Sequence, residues 1–165
     1  MSDYRKNGRT QGISDMVSIK RTNSNDNDFR TLVIELDKDL WSRYGTRQLV
    51  YQQYNVIENL ETVLVAYIEN KPVGCGCFKK INDNSVEIKR MFVSTEHRRK
   101  GIGASVMKEL ENWAKELQFE FIFLETGKGQ PEASRLYQKQ GYKLISNYGQ
   151  YIGKEKISIC MKKVL

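Results

Sequence analysis

The chain has 165 residues, 39% of them apolar and 28% charged, which suits a globular protein that can fold as one domain without metal or disulfide. Its longest uncharged apolar run falls far short of the ~20 residues a membrane-spanning helix needs, so no membrane partner is expected. Lys and Arg number 27 against 20 Asp and Glu, and the net charge of +7 favours a polyanionic partner: nucleic acid, an anionic surface or a phosphorylated small molecule.

Residues 1–15 are polar, without hydrophobic period and without the apolar core of a secretory signal; they are expected to form a flexible N-terminal arm before a single domain over 16–165. Met16 to Thr22 reads as a first strand. Asn27-Asp28 can cap a helix bearing Phe29, Leu32, Val33, Leu36 and Leu40 at helical spacing. A shorter second helix is expected from about Arg47 to Asn59, after the break at Gly45. Three strands follow, over 62–68, 72–78 and 86–93, joined by polar turns as an antiparallel meander. The helix over 101–117 carries Ile102, Val106, Leu110, Trp113 and Leu117 on one face, a stripe fit to lie on a sheet. A buried-type strand over 119–125, a helix from Pro131 to Gln140 stopped by Gly141, and strands over 142–146 and 157–164 complete the chain.

The expected fold is therefore α/β (α+β), with element order β-α-α-β-β-β-α-β-α-β-β. Its mixed, mostly antiparallel sheet carries helices on both faces and one right-handed parallel crossover. Cys75, Cys77 and Cys160 are an odd number, which argues against a disulfide framework and for a reducing, cytoplasmic compartment. The single histidine, His97, leaves too few ligands for zinc, and no metal site is expected.

Chemistry concentrates between Glu87 and Val106. A strand ends at Val93, and Arg98-Arg99-Lys100-Gly101-Ile102-Gly103-Ala104 opens the long helix. Glycines at such a turn let backbone approach a bound group, and a helix start offers unpaired N–H donors and partial positive charge. From Lys89 to Lys100 there are five basic residues and one acid, Glu96. This describes a phosphate pocket, best matched to a pyrophosphate. It is neither a dinucleotide fingerprint, where Val106 is too large, nor a P-loop, because Gly127-Lys128 is followed by Gly129.

The strand before Arg98-x-x-Gly101-x-Gly103, with Ala133-Ser-Arg-Leu-Tyr137-Gln-Lys-Gln-Gly141-Tyr142 one helix and one strand later, resembles the GNAT superfamily of acetyl-CoA-dependent N-acetyltransferases. The likeness runs in element order from about Met16 to Leu165 and is motif-specific from Glu87 to Tyr142. It implies a V-shaped opening between the strands ending at Val93 and Glu125. The pantetheine arm of acetyl-CoA, the co-substrate, would pair there with backbone near Met91, Phe92 and Val93. The pyrophosphate would lie on the loop from Arg98 through Gly101, Ile102 and Gly103 to Ala104, with Ser105 adding a hydroxyl. Arg98 matches the family motif; Arg99 and Lys100 read equally as solvated charges or as contacts to the 3′-phosphate. Seven residues before Tyr137 many members carry an asparagine on the pantetheine arm, where this chain has Gln130, able to make the same bonds from a longer stem.

The resemblance also implies catalytic roles. An alkyl amine is mostly protonated at neutral pH, so a base must take its proton. Glu87 stands where many members place that base, and Glu125, at the end of the next strand, is the second candidate. A strand bulge would present the N–H of Phe92 or Val93 to the oxyanion. Tyr137 matches the tyrosine that faces the departing sulfur. A covalent route through Cys75 or Cys77 is disfavoured, since nothing places His97 beside either thiol.

The resemblance implies an acceptor side shaped by the first two helices and the loop between the last two strands, where this chain has Trp41, Tyr44, Tyr51, Tyr54, Tyr148 and Tyr151 with Asp37, Asp39 and Glu58 nearby. Aromatics and acids suit a small cationic amine or amino acid. A peptide acceptor and an acetyl-CoA-binding domain without turnover stay open, as does a homodimer. A nucleic-acid module is disfavoured, because no zinc-finger, zipper or RNP pattern is present.

Overall fold

The computed structural model describes residues 16–165; the arm expected over 1–15 lies outside the described residues. Seven strands, β1 Ser18–Thr22, β2 Val63–Ile68, β3 Lys71–Asn82, β4 Ser85–Val93, β5 Phe121–Gly127, β6 Lys143–Ile145 and β7 Ser158–Val164, form one sheet in the order β1-β2-β3-β4-β5-β7-β6. Only β4 and β5 pair in parallel, joined by a crossover helix, Ile102–Glu116. The mixed, mostly antiparallel architecture is the one expected.

Helix α1, Asn27–Tyr44, begins where the Asp26 carboxylate accepts the N–H groups of Asp28 and Phe29. The cap is thus one residue earlier than Asn27-Asp28, since a cap must stand in extended backbone, as Asp26 does. Its buried stripe of Phe29, Leu32, Leu36 and Leu40 packs on Val63, Val65, Cys75, Cys77 and Phe92. Strand alternation sends Leu64, Ala66 and Ile68 to the opposite face, against Ile102, Val106 and Leu110 of the third helix and Tyr137 of the fourth.

The expected second helix over 47–59 is a correction. A 3-10 turn, Gly45–Gln48, leads into a single helical turn, α2 Leu49–Gln52, and residues 53–62 are irregular. Leu49, Val50 and Val56 stay exposed, so the helical spacing there has no surface to bury itself against, and packing is what sustains a short helix. Helices α3 Ile102–Glu116 and α4 Pro131–Lys139 form as expected. The β2–β3 hairpin turns on Glu69 and Asn70, both with left-handed φ, the geometry a two-residue hairpin requires. No helix among the described residues is long and apolar enough to cross a membrane.

Candidate functional site

The site exists because two parallel strands part. β4 and β5 pair from Ser85 with Phe121 to Ile88 with Leu124 and no further. On its other edge β4 pairs Phe92 with Cys75 and Lys89 with Cys77, so β4 holds one residue more than β3 across that step. This bulge, with Arg90 at φ 57, bends β4 away from β5. A cavity of about 290 Å³ opens between the separated ends, bordered by Met91, Glu125, Gln130, Tyr137, Tyr44 and Tyr151.

The β4 backbone beyond the bulge has defined directions. The Ser94 N–H donates to the Val73 carbonyl on β3 at 2.9 Å. Strand alternation therefore turns the Val93 N–H away from β3, toward the opening. The Val93 carbonyl accepts Arg98 Nε at 2.9 Å, while the Phe92 ring is buried under α1. Of the two N–H groups expected for an oxyanion, Val93 has the better aim.

The turn into α3 is shaped for an anion. Arg99 and Gly101 both have left-handed φ, 64 and 78, on either side of Lys100, and no side chain caps the helix start. Successive N–H groups in such a turn converge on one point, where the helix adds positive potential. Ile102 is buried and anchors the turn, whereas Arg99, Lys100 and Gly101 are exposed. A side chain at Gly103 would meet Leu136 at 3.0 Å, so that glycine lets α4 approach. Ser105 donates its hydroxyl to the Gly101 carbonyl at 3.1 Å, and Ala104 is half-buried between them. Arg98 points elsewhere: its guanidinium bonds Val93 and reaches Asp39 on α1 at 3.4 Å, tying the turn to the first helix.

Tyr137 is buried on α4 with its ring edge-on to Tyr142, and it borders the cavity. Burial first, then the nearby Glu125 carboxylate, push its hydroxyl well above the ordinary value, so it stays an O–H donor at any working pH. Gln130 does not cap α4; its Oε1 accepts the Tyr44 hydroxyl at 3.3 Å.

The two candidate bases lie in different surroundings. Glu87 is buried away from the cavity wall, accepts the Tyr148 hydroxyl and pairs with Lys89 at 3.1 Å. Lys89 in turn donates to the Tyr151 hydroxyl at 2.7 Å. Glu125 faces the cavity. Burial raises it from 4.5 to about 7, only partly countered by a hydrogen bond from Ser158 and by the charge of Lys89. The Ser158 hydroxyl also contacts the Tyr51 hydroxyl at 2.6 Å.

Comparisons with known proteins decide the family. The acetyltransferase (GNAT) family profile matches residues 26–142. An IAA acetyltransferase of Azospirillum brasilense is 31% identical over 142 residues, covering 81% of this chain and 88% of that protein. The chain is a GNAT acetyltransferase. It is an acetyl-CoA-dependent acyltransferase, and acetyl-CoA is its co-substrate. A solved Klebsiella pneumoniae protein assigned to the acyl-CoA N-acyltransferases aligns with a TM-score of 0.74 at 26% identity, over 92% of this chain and 99% of that one. A GNAT family acetyltransferase of Elizabethkingia anophelis with acetyl-CoA bound shares the fold, with a TM-score of 0.65 at 18% identity over 92% of this chain and 99% of that one.

Of the tyrosines expected near an acceptor, Tyr44, Tyr51 and Tyr151 border the cavity. Tyr148 holds Glu87 instead, Trp41 is half-exposed on α1, and Glu58 is exposed away from the cavity. Asp37 pairs with Arg90, and Asp39 with Arg43 and Arg98. Cys75 and Cys77 lie buried under α1, donating weakly to the carbonyls of Arg90 and Lys89, with Cys77 pushed by burial up to about 12; neither is a nucleophile. Sequence reasoning missed Arg43, Arg47 and Ser158, whose positions depend on contacts between distant segments; the pairing of Lys89 with Glu87 could be read from their shared strand.

Proposed function

We propose that the enzyme transfers the acetyl group directly to a primary amine of a small molecule or amino acid, with Glu125 as general base. One observation carries this: Glu125 is the only acidic side chain on the cavity wall among the described residues, and its value of about 7 suits a base working near neutrality. Glu125 takes a proton from the acceptor ammonium, and the freed nitrogen forms a bond to the acetyl carbonyl carbon. The Val93 N–H holds the oxygen as it gains negative charge. As the carbon–sulfur bond breaks, Tyr137 donates a hydrogen bond to the departing thiolate, which takes up the second proton shed by the acylated nitrogen, leaving a neutral amide and the free thiol of CoA. A tyrosine raised above its ordinary value is a weaker acid than a thiol, so Tyr137 stabilises the sulfur and keeps its own proton.

In the cofactor arm, the Met91–Val93 backbone and Gln130 would flank the pantetheine, and the turn from Arg98 to Ala104, with Ser105 behind it, would take the pyrophosphate. Arg99 and Lys100 are the side chains free to reach a phosphate there. Glu87 is assigned a positioning role, holding Lys89 beside Glu125. Three free cysteines support a cytoplasmic setting, and the continuous sheet supports reading 16–165 as one domain.

The test is acetyl-CoA-dependent thiol release against amines, amino acids, polyamines, aminoglycosides and short peptides, each with an acceptor-free blank. Release with a small-molecule class that is lost in Glu125→Gln supports the reading. Release with peptides alone, or Glu125→Gln turning over normally, overturns it.

A further inference from the structure

The charges around the acceptor half of the cavity run opposite to those a cationic amine would select. Among the described residues its wall carries six basic side chains, Arg43, Arg47, Lys89, Arg90, Lys128 and Lys156, and one acid, Glu125. Three of the six are matched elsewhere: Arg43 by Asp39 and Glu132, Lys89 by Glu87, and Arg90 by Asp37. Arg47, Lys128 and Lys156 form no ion pair among the described residues. Arg47 stands in the turn after α1 and Lys156 just before β7. The Lys128 N–H bonds the Ile157 carbonyl at 2.9 Å, which brings the β5–α4 turn to the same rim.

Two tyrosine faces near the rim already carry a cation. Lys154 places its ammonium 5.2 Å from the Tyr51 ring centre and 4.8 Å from that of Tyr54. Two acids of α1 expected on the acceptor side, Asp37 and Asp39, are bound to arginines. A bare cation would find one carboxylate and a surplus of positive charge. A molecule bearing both an amine and an anion would find a partner for each.

Resting on the proposed small-molecule reading, we infer that the acceptor is an amino carboxylate, whose carboxylate is held by Arg47 and Lys156 while its ammonium meets Glu125. Arginine suits this role, because its planar fork can grip both carboxylate oxygens at once. Lys128 neighbours Gln130, on the arm that meets the co-substrate, and adds positive potential from that side.

The experiment compares matched acceptors on the full chain: an amino acid, its amide and its decarboxylated amine, with aminoalkyl phosphates in parallel. The amino acid is expected to exceed its amide and amine in kcat/KM by at least about tenfold, chiefly through a lower KM. In Arg47→Gln/Lys156→Gln that ratio should collapse toward one. Arg47→Lys, which keeps the charge without the fork, should recover part of it.

Amines that turn over as well as the amino acids would overturn the inference while leaving the small-molecule reading standing. So would a preference undiminished in the double variant, or aminoalkyl phosphates outrunning the carboxylates. If no small amine of any kind is acetylated and only peptides are, the small-molecule reading falls and takes this inference with it. The two failures are therefore distinct.

Discussion

Glu87 and Glu125 are borne by neighbouring parallel strands, yet their surroundings assign them opposite tasks. Glu87 is enclosed and bonded to Tyr148 and Lys89, so its carboxylate has no open face toward the cavity. Glu125 keeps an open face and a proton affinity near neutrality. The expected pH dependence follows: kcat/KM rises with pH up to about 7 and then levels, as the carboxylate becomes free to accept a proton. Glu125→Gln should lower kcat by ~10²–10⁴-fold and abolish that limb. The same shift bears on stability. The folded state binds this proton more tightly than the unfolded chain, whose value stays near 4.5, so stability falls as pH rises from about 4.5 to 7. Glu125→Gln should therefore melt several degrees higher than the parent at pH 8 and gain nothing at pH 4. Tyr137→Phe tests the other end of the reaction. It should slow acetyl transfer at least tenfold with little change in acetyl-CoA affinity measured by calorimetry; normal turnover would remove the hydroxyl from the reaction.

At the scale of elements, the site is held by contacts that bring distant segments together. Arg43 at the end of α1 bonds the Gly129 carbonyl at 3.2 Å and pairs with Glu132, while Tyr44 lies against Gly127 and Gly129 and donates to Gln130. The first helix thereby clasps the turn between β5 and α4. A side chain at Gly127 would overlap the Tyr44 hydroxyl, so Gly127→Ala should force the clasp open, lowering Tm by a few degrees and raising KM for acetyl-CoA. Tyr44→Ala clears that space. The double variant should lose less than the sum of the two single losses, and additive losses would show that the clasp does not act as a unit.

These contacts also explain what was legible in the sequence. Tyr137, the turn from Arg98 to Ala104 and the two glutamates belong to local patterns, a helix motif, a strand-to-helix turn and two strand ends, and so could be named. The bulge at Arg90 follows from how β3 and β4 register. The clasp joins residues 86 positions apart, and no local period encodes that. The second helix was misread for the same reason: Leu49, Val50 and Val56 have helical spacing, but no partner surface lies over them among the described residues.

At the scale of the whole molecule, the net charge of +7 and the division of the sheet serve the same end. The parting of β4 and β5 opens a cavity with Arg47, Lys128 and Lys156 on its wall, and the turn at the head of α3, bearing Arg99 and Lys100, follows the end of β4. Both segments are positive, and acetyl-CoA is polyanionic, so the field of the chain should draw it in and weaken with salt. Within the turn, Arg98 is bound to Val93 and Asp39, leaving Arg99 and Lys100 exposed to phosphate. Arg99→Gln/Lys100→Gln should therefore weaken acetyl-CoA binding severalfold and flatten its dependence on salt, while Tm stays nearly unchanged. Arg98→Gln should behave differently, lowering Tm together with affinity, because it unties the turn from α1. Titrations of acetyl-CoA at 50, 150 and 400 mM salt, read beside the melting curves, separate the two roles. If Arg99→Gln/Lys100→Gln keeps the parent's salt slope, the steering charge lies elsewhere, and the acceptor rim becomes its source.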